Sequence, residues 1–166
     1  MNIPELLLHE FDEEAAGTRR MLERVPEASL TWKPHEKSMT LGRLASHVAD
    51  LPNRCVTILT TETYVRPADF KPFLAAASAE LLERFDKASA EARNALASLR
   101  EDQLDAVWTL QMNGRTMVSL PRAMALRRVF MDHLIHHRGQ LSVYLRLLDV
   151  PIPGMYGPSA DEQTRI

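Results

Sequence analysis

The chain has 166 residues, of which 45% are hydrophobic and 25% are charged, as in ordinary globular proteins. Its formal net charge of -2 provides no basic footprint for nucleic acid, and no apolar run reaches the roughly 20 residues that cross a bilayer. The acidic N-terminus is unlike a signal peptide, and the single cysteine, Cys55, excludes both an internal disulfide and a cysteine metal cluster. We therefore expect one cytoplasmic domain over residues 1–166.

Apolar residues at helical spacing predict a first helix from Pro4 to about Val25 and a second from Leu41 to about Thr61. Thr40 is a plausible N-cap for the second helix. Pro52 lies inside that helix and is expected to kink or split it, because proline lacks a backbone donor. Cys55 falls on the apolar stripe of this helix, so we expect a small core residue there rather than a reactive thiol.

A third helix is predicted from Phe73 to Leu99, with Leu74, Leu81, Leu82, Phe85, Ala88, Ala92, Leu96 and Leu99 on one face. The segment "TETYVRPADFKP" before it is expected to be a link. After the third helix, β-branched and aromatic residues flank Asn113–Gly114, which predicts a short hairpin. Pro121 suits the first turn of a fourth helix that continues to about Leu148. Four such helices predict an all-α four-helix bundle, with an irregular tail after the last helix.

The fourth helix contains "DHLIHHRGQL", in which three histidines occupy five positions. At about 100° per residue, Leu126, Phe130, Leu141, Tyr144 and Leu148 cluster on one face. His137 falls in the middle of that face and His133 at its edge, whereas His136 points toward a flank or solvent. Two imidazoles one turn apart can share one ion. The zinc-peptidase form of this motif needs glutamate after the first histidine, where Leu134 stands here.

A further histidine, His47, flanks the apolar stripe of the second helix and could face the same interior. Three histidines on two helices with an open fourth position describe a catalytic metal site. The alternative is that these are core histidines, satisfied by Gln140, Asp132 or backbone carbonyls. His9 and His35 are expected to be exposed. A serine hydrolase is not indicated, because the serine of "GPSADE" has no partnered histidine, and no glycine-rich phosphate loop is present.

Three separated motifs, "LTWKPHEKSMTLGRLASHVADL", "HLIHHRGQLSVYLRLLDVP" and "PGMYGPSADE", together resemble the DinB/YfiT-like family over nearly the whole chain. The resemblance implies a bundle with up-down-down-up topology, often dimeric. It also implies a divalent metal, commonly nickel or zinc, held at the positions of His47, His133 and His137. Some branches of the family carry a carboxylate at one of these positions, whereas this chain has histidine at all three. Iron is a third metal that three imidazoles suit.

Characterised members of that family include S-transferases that use a low-molecular-weight thiol, and a thiol-dependent isomerase. The resemblance therefore implies a metal-dependent thiol S-transferase acting on a small electrophile, working as a homodimer without nucleic acid or membrane partners. Gln140 and Tyr144, one and two turns beyond the histidines, are expected to line the site. Two alternatives remain open: hydrolysis by metal-activated water, and a non-catalytic metal or small-ligand sensor. A dimerising structural bundle with satisfied histidines is the fourth possibility.

Overall fold

The computed structural model describes residues 1–162. Helix α1 spans Ile3–Leu22 and begins with a capping box, in which Asn2 and Glu5 bond reciprocally to each other's backbone. The second predicted helix is split as expected into α2 (Leu41–Asp50) and α3 (Pro52–Thr60). Proline at 52 cannot donate to the preceding turn, so the Val48 carbonyl accepts a hydrogen bond from Leu51 N at 3.3 Å instead.

The third predicted helix is shorter than expected, because α4 spans Ser78–Ala97 rather than beginning at Phe73. Leu74 therefore lies outside the helix and is 61% exposed, so its predicted place in the core was wrong. The prediction of the remaining face is correct at its large apolar residues Leu81, Phe85 and Leu96, which are buried. The prediction from helical spacing placed the start of the helix too early, because the segment before Ser78 is irregular although its apolar residues have helical spacing.

The last helical region has three parts: α5 (Arg122–Ala125), a π-helical segment (Leu126–Met131) and α6 (Asp132–Leu147). Contacts among the helices place α1 against α4 and α6, and place α2–α3 against the same two neighbours. The first and second bundle helices therefore lie mainly across a diagonal, which explains the long connector between them. This is the four-helix-bundle class that the sequence predicts.

The predicted hairpin forms from β2 (Val107–Met112) and β3 (Arg115–Pro121), joined at Asn113–Gly114. Both turn residues have positive φ, 51° and 71°, as a two-residue hairpin turn requires. The segment expected to be only a link also contains a strand, β1 (Thr63–Arg66), which pairs in parallel with β2. Periodicity could not reveal β1, because its partner lies more than 40 residues further along the chain.

The core lies between the four helices, and Trp108 and Leu110 of the sheet pack into it. Its largest fully buried side chains include Phe11, Met21, Leu22, Leu41, Leu44, Leu51, Ile58, Leu81, Phe85, Leu96, Trp108 and Phe130. Within residues 1–162, every helix is too short or too polar to cross a bilayer. The segment after α6 is irregular, as expected, and is held on the surface by contacts such as Arg20 with the Gly154 carbonyl at 2.9 Å.

Candidate metal centre

Three histidines from two different helices meet beside the bundle core. His47 lies on α2, and His133 and His137 lie one turn apart on α6. One ring nitrogen from each can be chosen so that all three lie within 4.8 Å of one another. The two Nε2 atoms of His47 and His133 are 3.1 Å apart. The structure thus brings together the three residues that the sequence predicts, and each is half-buried.

The spacing of the nitrogens suits a metal ion. Two nitrogens bound at about 2.0–2.1 Å to one tetrahedral ion are about 3.3–3.4 Å apart. The His47–His133 separation of 3.1 Å needs only a small adjustment to reach this value. The three ring centroids are 4.6–5.0 Å apart, and the rings are tilted rather than stacked, so their edges converge on one region. The donor set of three imidazoles therefore fits a divalent first-row ion.

All three rings are disposed to stay neutral, as metal ligands must be. Burial lowers the pKa of His47 to about 3, with further contributions from His137 and His133. Burial likewise lowers the pKa of His133 to about 4, assisted by Arg54 and His137. The pKa of His137 is also lowered, first by burial. At neutral pH these rings offer lone pairs rather than positive charge.

A hydrogen bond orients the His137 ring on α6. The Gln140 side-chain oxygen lies 2.8 Å from His137 Nδ1, so Nδ1–H donates and Nε2 keeps its lone pair. At His133, the backbone of Val129 raises the pKa of the ring and partly offsets the lowering caused by burial. Outer contacts of this kind fix the tautomer and orientation of metal-binding histidines. They also match the alternative in which Gln140 and a carbonyl satisfy the rings without metal.

The predicted site-lining residues differ in their placement. Gln140 contacts His137 directly. Tyr144 instead packs edge-on against Trp32, and its hydroxyl donates to the Met39 carbonyl at 3.3 Å. Among residues 1–162, no hydrogen bond or ring contact joins Tyr144 to the three histidines. Tyr144 therefore secures the connector before α2 to α6.

The other histidines take the positions that the sequence predicts. His136 is exposed, as are His9 and His35. Asp132, an alternative partner for His136, instead receives a hydrogen bond from Arg127 NH2 at 3.0 Å. His136 is outside the group of three histidines, and its exposed ring packs edge-on against that of His137, with the centroids 4.9 Å apart.

One detail of the fourth helix was wrong: His137 does not lie in the middle of the buried face. The buried stripe of α6 is Leu134, Arg138, Leu141 and Leu145. The π-helical segment before α6 closes i→i+5 bonds and fits extra residues into its turn. A helical wheel that advances every residue by 100° through this segment therefore predicts a buried face that is displaced by about one position. His137 consequently lies at the flank, where its ring is open to a ligand.

The position after His137 carries a buried arginine that the sequence reasoning missed. Arg138 is 3% exposed and pairs with the Glu14 carboxylate of α1 at 2.5 Å. The same nitrogen, Nη1, also donates to the Thr18 hydroxyl at 3.3 Å, and Nη2 donates to the Tyr156 hydroxyl at 2.9 Å. Tyr156 in turn donates to Glu14 at 2.7 Å. This network ties α1, α6 and the C-terminal segment together behind the histidines.

A second set of missed residues lies along the histidine-bearing face of the second helix. Arg43 and Arg54 stand one turn before and two turns after His47, and Asp50 lies between them. Arg43, His47, Asp50 and Arg54 follow one another at intervals of four, three and four residues. This spacing could have predicted that they lie together, because residues three and four apart share one helical face. These side chains line a cavity that also contains His47.

Cys55 and the serine of "GPSADE" are as inert as the sequence predicts. Cys55 is fully buried, and burial raises the pKa of its thiol. Its sulfur faces the Ala92 carbonyl at 4.0 Å. Ser159 Oγ donates to the Ile152 carbonyl at 2.6 Å and serves the local turn. Neither side chain is placed to act as a nucleophile at the histidine cluster.

Comparison with known proteins agrees with the observed fold and shows the family. The family model described as "DinB family" matches residues 1–165. The uncharacterized protein YrdA of Bacillus subtilis is 28% identical over 160 residues, covering 93% of this chain and 89% of that protein. A DinB-like protein of Bacillus cereus ATCC 10987 has a TM-score of 0.72 at 22% identity, covering 92% of this chain and 97% of that one. DinB-like YjoA of B. subtilis has a TM-score of 0.66 at 19% identity, covering 96% and 99%.

Proposed function

Because the chain belongs to the DinB family, we propose that His47, His133 and His137 bind one divalent metal ion in a metal-dependent enzyme. The observation that carries the proposal is the convergence of three neutral imidazoles from two helices beside an open cavity. Nickel and zinc are the proposed ions, with iron a third that the same donors suit. Such an ion supplies Lewis acidity, which lowers the pKa of a bound thiol or water.

We further propose that the reaction is transfer of a low-molecular-weight thiol to a small electrophile. The chain's own thiol is unsuited to this role, since Cys55 is buried and its pKa is raised. A nucleophilic thiol would therefore come from a cosubstrate. Gln140 holds the His137 ring in position, which preorganises this ligand of the site.

The first test is metal binding by protein purified without a polyhistidine tag. At a metal concentration one hundred times Kd, binding stabilises the folded state by about 2.7 kcal/mol. For a chain of this size, Tm is then expected to rise by about 5–11 °C with nickel or zinc. His47→Ala and His137→Ala should abolish the shift, and His136→Ala should retain it. An unchanged shift in His47→Ala, or none in the natural sequence, contradicts the site.

The second test separates the candidate reactions. Metal-loaded protein is assayed for conjugation of several cellular thiols with chlorodinitrobenzene and other electrophiles, and for hydrolysis of activated esters. Thiol-dependent conjugation that disappears in His137→Ala supports the transferase. Turnover without thiol favours hydrolysis, and metal binding without turnover favours a sensor. The homodimer remains a prediction, which light scattering after size-exclusion chromatography tests directly.

A further inference from the structure

Two adjoining cavities form one cleft that leads away from the histidine cluster. The inner cavity, about 130 Å³, is lined by His47, and the outer one, about 250 Å³, extends to Trp108. They share Arg54, Arg66 and Phe70, together with Asp50. A ligand in the outer part would thus lie next to whatever reacts at the histidines.

The walls of this cleft are strongly cationic. Four arginines line it: Arg43, Arg54, Arg66 and Arg84. The only lining carboxylate within residues 1–162 is that of Asp50, leaving three net positive charges from four minus one. Asp50 accepts hydrogen bonds from Arg84 Nε at 2.8 Å and from Asn53 at 2.9 Å. Its charge is thereby committed largely to Arg84.

Among residues 1–162, no carboxylate is hydrogen-bonded to Arg43 or Arg54, the arginines nearest the histidines. Arg43 has a fully buried guanidinium nitrogen for which residues 1–162 provide no hydrogen-bond acceptor. Burial, and next the positive charge of Arg66, lower the pKa of Arg54. Buried donors in native proteins are almost always paired, so an unpaired one calls for a partner outside the chain. The positive charges of Arg54 and Arg66 both face this cleft and repel each other, and a bound anion would relieve that repulsion.

The other wall of the cleft is apolar and comes from the small sheet. Trp108 is 2% exposed and forms its base with Leu110 and Met112. Phe70 closes the side, where the Arg66 guanidinium lies 4.2 Å above its ring centroid. A hydrated inorganic anion would gain nothing from this surface, whereas an organic body would bury apolar area against it.

We propose that the cleft binds a small organic carboxylate, whose anionic group lies between Arg54 and Arg66 and whose apolar body rests against Phe70 and Met112, above the buried Trp108. Guanidinium groups bind carboxylates through paired, charge-assisted hydrogen bonds. The proposal rests on the proposed function, because it assigns this carboxylate to one of the two substrates of the metal centre. It explains why a strand that the sequence analysis missed, β1, brings Arg66 to the site.

The test is calorimetric titration of metal-free and metal-loaded protein with benzoate, its neutral isostere benzamide, and inorganic phosphate. Benzoate is expected to bind at least about tenfold more tightly than either comparison compound. Arg54→Gln and Arg66→Gln should each weaken benzoate binding by about tenfold or more. Arg100→Gln is the matched control, because Arg100 is exposed, lies outside the cleft and pairs with nearby Asp102.

Equal binding of benzoate and benzamide, or benzoate binding unchanged in both cleft variants, would overturn the proposal. Phosphate binding as tightly as benzoate would also overturn it, since the apolar wall would then contribute nothing. Should Arg54→Gln fail to fold by circular dichroism, Arg66→Gln at the end of the β1 strand carries the test. Metal titration of the same samples separates the two ideas. Arginine-dependent benzoate binding without metal binding refutes only the metal centre, and the reverse pattern refutes only the cleft.

Discussion

Replacing Arg138 with methionine is the most informative single perturbation of this bundle. The side chain is 4% exposed and pairs with Glu14, which is 7% exposed. Methionine retains much of the aliphatic volume while removing the charge and every donor. Of the side-chain hydrogen bonds to the Glu14 carboxylate within residues 1–162, the one from the Tyr156 hydroxyl at 2.7 Å would then remain, while the carboxylate stays in the interior.

The expected cost follows from that burial. Removing one partner of a buried ion pair costs about 3–5 kcal/mol, because the other charge stays desolvated. An exposed pair provides the matched control, since Arg93 of α4 bonds both oxygens of Asp12 on α1 at 2.9 and 3.0 Å. Breaking that pair with Arg93→Met should cost only about 0–1 kcal/mol. Both pairs join α1 to another helix, so burial is the variable that separates them.

The assay is urea unfolding followed by far-UV circular dichroism, with metal removed by chelation. Arg138→Met is expected to lower the free energy of unfolding by about 3–5 kcal/mol, or to lower Tm by about 6–20 °C. The double variant Arg138→Met with Glu14→Leu should recover part of this loss, because no buried charge remains. A loss in Arg138→Met no larger than in Arg93→Met would refute the reasoning, as would a double variant less stable than the single one.

Two further predictions concern pH and glycine. In metal-free protein the pKa of His47 is about 3, against about 6.5 in an unfolded chain, so the unfolded state binds more protons below about pH 6.5. The free energy of unfolding should therefore fall as pH decreases from about 7 to 4, and it should fall less steeply in His47→Asn. If urea unfolding gives the same dependence of this free energy on pH for both proteins, the prediction is disproved. Gly42→Ala should lower the free energy of unfolding in urea by about 1 kcal/mol, because the added Cβ would lie 3.0 Å from the Leu30 carbonyl oxygen. Gly139→Ala, with nothing within 4 Å, should instead stabilise by about 0.5–1 kcal/mol, and a loss of stability there would contradict the expectation.

The fourth helix shows where sequence reasoning stops. The i, i+4 spacing of His133 and His137 is a local property, and it correctly placed both rings on one side of α6. How deeply each ring is buried could not be predicted from local spacing, because the π-helical segment before Asp132 rotates the following residues relative to Leu126 and Phe130. Arg138 therefore took the buried position that the helical wheel had assigned to His137.

The sequence by itself determined the four amphipathic helices, the break at Pro52, the Asn113–Gly114 hairpin and the one-turn spacing of His133 and His137. These features follow from short-range periodicity and turn chemistry, which a single chain displays directly. Only the tertiary structure decided that β1 pairs with β2 and that Arg54 and Arg66 face one cleft. Those outcomes depend on packing between segments distant in the chain, and no local pattern encodes the position of a partner.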